Sequence, residues 1–341
     1  MKIAVIGANG NVGTELTYLL NEDCEVIPIT RNKIGSVFLE HHGIGCRIAD
    51  ILNPDMAKDA LKDIDVVVNA TWVSDRFSGS QNQSSRVVNK TIIENCFKFS
   101  KKDSVIIYLS TVRAFANKVD PTTSKFWPPR YDVEKQYLEK IVNKNVRKYN
   151  KKGISFRCGH VFGEGQPNTI EIRKLLSQNK KLTIAVNPNS SSNIVHIMTL
   201  KDAIFKCLDK KIKSGTYSLV NYPQWTWKEI FDFYNKNCDL KFSPPKIEKP
   251  TTSQKIFRLL KGKKKYLIPI LYNIPRKYES RIIMELSIRK FKSEINKLKS
   301  EEIVTNGNFN YVPIPGTQLS NLEKTSEIIK NYKYSIFQRE N

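Results

Sequence analysis

The sequence predicts an α/β protein, built on a doubly wound parallel sheet followed by a smaller, discontinuous C-terminal domain. Three observations carry this expectation. The chain opens on an apolar, β-branched run from Met1 to Ile6, glycines follow at three-residue spacing, and Thr14 to Leu20 reads as the start of an amphipathic helix. Apolar runs then alternate with stretches of helical spacing. Those runs are apolar throughout rather than at every second residue, the pattern of strands covered on both faces.

The first strand, turn and helix explain the glycines. Gly7 suits a tight turn off the strand, Gly10 lets backbone approach a pyrophosphate, and Gly13 allows close packing of helix on strand. The turn residues Gly7, Asn9, Gly10, Asn11, Val12 and Gly13 are therefore candidates for cofactor binding. The helix N-terminus adds its positive dipole end, so the whole unit suits phosphate.

The remaining elements follow in order. "CEVIPIT" reads as a second strand ending at Thr30 and Arg31, and "GCRIAD" as a third closing on Asp50. "NPDMAKDALKDI" has helical spacing, and "DVVVNATW" is a fourth strand running into Asn69, Ala70 and Thr71. "SSRVVNKTIIENCFKFS" is a helix, and "SVIIYLST" is the fifth strand. The sum is a Rossmann-type arrangement. An acidic residue at the end of the second strand would accept the ribose hydroxyls of NAD, whereas an arginine there meets a 2′-phosphate. Arg31, with Lys33 beside it, tilts the expected cofactor to NADP, with NAD as the alternative.

Composition narrows the function classes. At 341 residues the chain can bury a large core and suits two joined domains. Its six cysteines include no CxxC pair, which argues against zinc, a redox dithiol or a disulfide framework, and no metal site is expected. No apolar run approaches the 18 to 20 residues, roughly, that span a bilayer, and a cytoplasmic location is expected. The net charge is +23, and residues 251–300 hold fourteen Lys or Arg against Glu279, Glu285 and Glu294, a local excess of +11. This segment suits either solvated helix faces or peripheral contact with an anionic membrane at its inner face. Nucleic acid is not expected, since no binding motif accompanies the charge.

"PPRYDVEKQYLEK" places Tyr131 and Lys135 four residues apart among good helix formers, so both side chains share one helix face. With fourteen tyrosines in a Lys-rich chain, a chance YxxxK match is expected, so the weight lies in its position. Tyr131 falls one helix after the fifth strand, where the sheet's C-terminal edge would present it to a nicotinamide.

At these residues the chain resembles an extended short-chain dehydrogenase/reductase of the NAD-dependent epimerase/dehydratase family. The stretches that carry the resemblance are "GANGNVG", Asp50 with Ile51, "NAT", "LSTVRAFA" with "YDVEK", and "ISFRCGHVFGEGQP". "NIVHIMTLKDAI" is similar to a later family segment, and coverage is good to about residue 235. The resemblance implies that Tyr131 is the general acid/base, that Lys135 favours its phenolate and binds the nicotinamide ribose, and that Thr111 holds the substrate oxygen. It also implies that Asp50, Ile51, Asn69, Ala70, Thr71 and Asn89 line the cofactor, along with Tyr131 and Lys135. Simpler roles compete: Asn69 as a strand end, Asn89 as a helix-face residue, Thr111 and Ser110 as turn caps.

The departures matter too. Val112 and Arg113 follow Thr111 where sugar dehydratases carry Asp and Glu, so dehydration is not expected. Cys158 replaces a usual proline and His160 stands where asparagine is common. The domains implied are 1–162, with 194–220 returning to its sheet, and a substrate domain of 163–193 and 221–341. Trp225 and Trp227 are expected in the core of that second domain, beside a helix capped by Thr226. The expected activity is NAD(P)-dependent oxidation-reduction or epimerisation of a nucleotide-activated sugar, in polysaccharide or glycolipid assembly, with a homodimer compatible. The alternatives are reduction of a non-sugar carbonyl of steroid, flavonoid or isoprenoid type, and a non-catalytic NADP-binding regulatory protein. The intact Thr111, Tyr131 and Lys135 set argues against the last.

Overall fold

The computed structural model describes residues 1–73, 85–115, 130–184, 186–208, 212–221, 225–243 and 310–311. In chain order the first half runs β1 (Lys2–Ile6), α1 (Asn11–Asn21), β2 (Glu25–Thr30), α2 (Lys33–His41), β3 (Arg47–Ile48), α3 (Pro54–Leu61), β4 (Val66–Asn69), α4 (Ser85–Phe99), β5 (Val105–Thr111), α5 (Arg130–Tyr149) and β6 (Lys152–Cys158). There follow β7 (His160–Phe162), α6 (Pro167–Gln178), β8 (Lys181–Ile184), β9 (Ile194–His196), α7 (Ile197–Lys206), β10 (Gly215–Leu219), α8 (Trp227–Tyr234), β11 (Asp239–Phe242) and β12 (Asn310–Tyr311).

Eight parallel strands form the main sheet in the order β12-β10-β6-β5-β4-β1-β2-β3. The direction of winding reverses between β1 and β4, so the crevice for a ligand opens beyond their carboxyl ends. The strands are apolar throughout because both faces are covered. Ile3, Val5, Val66, Val68, Ile107 and Leu109 pack with α1 and α7, and Ala4, Ile6, Val67, Ile106 and Tyr108 pack with α3, α4 and α5. Each fully buried Val, Leu or Ile contributes about 1.5–3 kcal/mol. That burial, more than helix propensity, holds the short flanking helices in place.

The second lobe has its own core of Phe162, Ile172, Leu176, Ile184, Val186, Trp225, Trp227, Ile230 and Phe231. Both tryptophans are core residues, as expected. Thr226 caps α8 through a reciprocal pair with Glu229.

Three features differ from the sequence reading. Ile194–His196, expected in the main sheet, pairs instead with β7 in a separate two-stranded sheet, so of residues 194–220 only β10 enters the main one. Gly159 ends β6, and a Cβ there would overlap the carbonyl oxygen of Asn193, whose φ is +51°. That close approach lets β7 and β9 leave the plane together. The third strand contracts to two residues, Arg47 and Ile48. Helix α2 is not singled out by the sequence pattern, because Ile34 and Val37 are 87% and 60% exposed and blur any apolar stripe. Asn32 starts it, accepting the Gly35 N–H at 2.9 Å. The basic segment 251–300 lies outside the described residues, and among those described no helix is long and apolar enough to cross a membrane.

Candidate active site

The loop after β1 is shaped by its glycines. Gly7 has φ +80°, a conformation open to glycine at no cost, and its carbonyl accepts the Gly10 N–H at 3.0 Å. A Cβ on Gly13 would overlap that same carbonyl, so the helix can sit this close to the turn only without a side chain. Gly10 is the N-cap of α1 and offers no side-chain cap, and the first turn carries no acidic residue. The N–H groups of Asn11, Val12 and Gly13 therefore begin a helix with its positive end open to solvent, beside exposed Asn9, Gly10 and Asn11. This turn fits a dinucleotide pyrophosphate.

The neighbouring strand ends complete the rim. Asn69 ends β4 and accepts both the backbone N–H of Thr71 at 3.0 Å and its hydroxyl at 2.6 Å. That locks Thr71 against Gly7, where a Cβ would lie 3.0 Å from the Thr71 methyl. Ala70 donates its N–H to Ile6 O at 3.0 Å. Asn89 exchanges two hydrogen bonds with the backbone of Val73, 3.0 and 2.7 Å, and donates to Ser85 O. Its amide thus holds the loop after β4 from beneath. Asp50 accepts the Leu52 N–H, and Ile51 is buried in the core with its carbonyl held by Asn95. Arg31 is exposed directly after β2.

Tyr131 and Lys135 lie on α5, against the end of β5. Lys135 is 4% exposed, and its Nζ donates to Leu109 O at 2.8 Å, two residues before Thr111. Three aromatic rings surround that ammonium: Tyr108 at 4.8 Å, Trp72 at 5.1 Å and Tyr131 at 5.7 Å from Nζ to centroid. Trp72 meets Tyr131 edge-on, centroids 4.8 Å apart. Burial pulls the Lys135 pKa down to about 8, against the nearby Cys158 and Glu139, which raise it. A cation next to the Tyr131 ring favours phenolate, the form a general base needs. The structure thus brings Tyr131 and Lys135 together beside Trp72, which directly follows Asn69, Ala70 and Thr71, and against the end of the strand that carries Thr111.

The family model of the NAD dependent epimerase/dehydratase family matches residues 3–219. The chain belongs to this family. It is an enzyme of the extended short-chain dehydrogenase/reductase type that uses a nicotinamide dinucleotide. Among solved structures it is similar to the UDP-glucuronic acid 4-epimerase of Bacillus cereus in complex with NAD, at 21% identity over 72% of this chain and 88% of that one, TM-score 0.53. It is also similar to the UDP-N-acetylglucosamine 4-epimerase of Bacillus cereus, at 20% identity over 72% and 85%, TM-score 0.52. A third is the dTDP-glucose 4,6-dehydratase of Bacillus anthracis, at 18% identity over 72% and 84%, TM-score 0.52. At these identities the likeness shows the shared fold. No curated protein matches the chain.

Several residues of the family member's site escape a sequence reading. Trp72 directly follows the "NAT" stretch and Tyr108 precedes Thr111 by three, but nothing local says that both rings close over Lys135. Glu15, in α1, is fully buried and accepts the N–H of Glu164 at 2.7 Å, the N–H of Gly165 at 3.2 Å and the Gln166 side-chain amide at 2.6 Å. Gln166 also donates to Asn11 O, which ties the phosphate-facing turn to the loop that leads into α6. Burial pushes the Glu15 carboxyl up to about 7 against these donors. His196, in the family-like "NIVH" stretch, is a structural cap: its Nδ1 accepts the Met198 N–H, and burial holds its pKa down to about 3, so it stays neutral. His160 is half-buried near Trp227.

Proposed function

We propose that the protein transfers hydride to and from a nucleotide-activated sugar as an NAD(P)-dependent epimerase or oxidoreductase, with Tyr131 as general acid/base, Lys135 as its charged partner and Thr111 holding the substrate oxygen. The observation that carries this reading is the buried Lys135 ammonium beside the Tyr131 ring, at the end of the strand that carries Thr111. The dinucleotide, when bound on the Gly7–Gly13 turn, supplies the hydride acceptor and donor. Tyr131 takes the proton of the sugar hydroxyl as its carbon is oxidised and returns it when the carbon is reduced. Lys135 stabilises the phenolate between those steps, and the Trp72 ring braces the Tyr131 ring edge-on. The exposed Arg31, directly after β2, supports NADP, since an arginine following that strand suits a 2′-phosphate. Epimerases of nucleotide sugars among the structural neighbours support the substrate class. A pathway in polysaccharide or glycolipid assembly belongs to the same reading.

The test is a screen of nucleotide sugars with the purified protein, following NADPH absorbance and product stereochemistry. Interconversion with unconsumed cofactor marks an epimerase, and net consumption marks a reductase. Tyr131→Phe should keep cofactor affinity and lose about 100- to 10,000-fold in turnover. Near-normal turnover in that variant removes Tyr131 from the chemistry.

A further inference from the structure

Beneath Lys135 lies a second polar cluster that the activity described so far does not use. Glu139 sits one helical turn after Lys135 on α5 and is 3% exposed. Its Oε1 accepts the Ser110 hydroxyl at 2.5 Å and the Arg157 Nε at 2.9 Å, and its Oε2 accepts the Arg157 Nη2 at 2.6 Å. Ser110 and Arg157 face each other across the β5–β6 pair, one step before Thr111 and Cys158. Two successive turns of α5 thus grip two successive residues of β5, Lys135 on Leu109 and Glu139 on Ser110.

We propose that Glu139, clamped by Arg157 and Ser110, is a positioning residue for the Tyr131–Lys135 pair: it fixes α5 against the end of β5 and keeps a negative charge one turn below the Lys135 ammonium. The proposal rests on the function assigned above to Tyr131 and Lys135. Stability alone is a poor reason for the cluster. A buried ion pair costs more desolvation than an apolar pair of equal size, and α5 meets the sheet with Leu138, Ile141 and Val142 on either side of it.

Among the described residues, the groups facing Lys135 narrow the electrostatic role to Glu139. From β5 comes Tyr108, whose phenol burial raises well above its usual pKa, and from β6 comes Cys158, whose thiol burial pushes up to about 12. Both stay neutral where Lys135 titrates. Among the described residues the loop after β4 brings the Trp72 ring, and on α5 itself Glu134, one residue before Lys135 and so on a different face of the helix, pairs with Arg86 of α4, whereas Glu139, four residues on, shares the Lys135 face. With the Cys158 thiol protonated in that range it carries no charge, and the Glu139 carboxylate is the charge that opposes the burial of Lys135.

The experiment uses the full chain with Glu139→Gln, which keeps an acceptor for Ser110 and removes the charge. Titration of lysine labelled with carbon-13, read by NMR with Lys135→Met as the assignment control, should place the Lys135 midpoint about one pH unit lower in the variant than in the wild type. The alkaline limb of kcat should move down by the same amount, with the sugar KM nearly unchanged, and Glu139→Asp should restore part of it. An unmoved Lys135 midpoint with only a lowered melting temperature overturns the proposal, leaving Glu139 a packing residue. If Glu139→Gln fails to fold, the double variant Glu139→Met with Arg157→Met replaces the ion pair by apolar volume, and a smaller shift in the same direction is expected there, since the Arg157 cation is removed as well. A moved Lys135 midpoint in a protein that turns over no nucleotide sugar upholds the Glu139 coupling and overturns only the substrate assignment.

Discussion

Replacing Glu15 by alanine removes the one acceptor shared by the Glu164 N–H, the Gly165 N–H and the Gln166 amide, where Gly165 and Gln166 are buried and Glu164 is half-buried. A buried donor left unmade costs about 1–3 kcal/mol. The Gln166 side chain still reaches Asn11 O, so the two backbone donors dominate and the loss comes to about 3–5 kcal/mol. For a folded body of this size that lowers the melting temperature by on the order of 10 °C. Thermal unfolding followed by circular dichroism measures it, and urea unfolding checks that the m-value is unchanged. A shift below about 2 °C would refute the reasoning, because it would mean that water or a loop movement satisfies those donors. The pH dependence supplies a second check. The folded carboxyl titrates near 7 and the unfolded one near 4.5, so folding takes up a proton in that window. The contribution of Glu15 is therefore complete below about pH 4.5 and declines as pH climbs to about 7, a slope that Glu15→Ala should lack.

Arg31→Asp should move cofactor preference from NADP towards NAD by tenfold or more, since it replaces a phosphate partner by a carboxylate that accepts ribose hydroxyls; equal dissociation constants in variant and wild type would remove Arg31 from the site. Lys151 donates to Phe97 O, Ser100 O and the Ser100 hydroxyl, closing the end of α4, so Lys151→Met should cost about 2 kcal/mol, read as a melting shift on the order of 5 °C. The basic segment 251–300 should bring the protein down with anionic vesicles at low ionic strength and release it at a few hundred millimolar salt, roughly, with neutral vesicles retaining little; no sedimentation in low salt returns those lysines to plain solvation.

What the sequence discloses and what it hides follow from range. The turn after β1 is legible because glycines at 7, 10 and 13 act within one strand, turn and helix. The parallel strands are legible because each is apolar on both faces. Tyr131 and Lys135 are legible because four residues on a helix fix a shared face, although their meaning depends on where α5 docks. Helix α2 is hard to see, since Ile34 and Val37 point to solvent and Gly35 interrupts it. The separation of β9 from the main sheet hinges on contact between Gly159 and Asn193, which no local pattern records. The same holds for Glu15 with Gln166, and for Glu139 with Arg157 and Ser110. These pairs join residues that only the folded sheet brings together, and a glutamate in a helical stretch otherwise reads as solvent-facing.

The pairing of β12 with β10 has a consequence for the basic segment between β11 and β12. Phe242 lies in β11 and Asn310 in β12, so the chain on both sides of the basic segment is held in a strand. Anything that engaged those lysines would therefore be joined to the protein on both sides of the segment, through β11 and through β12.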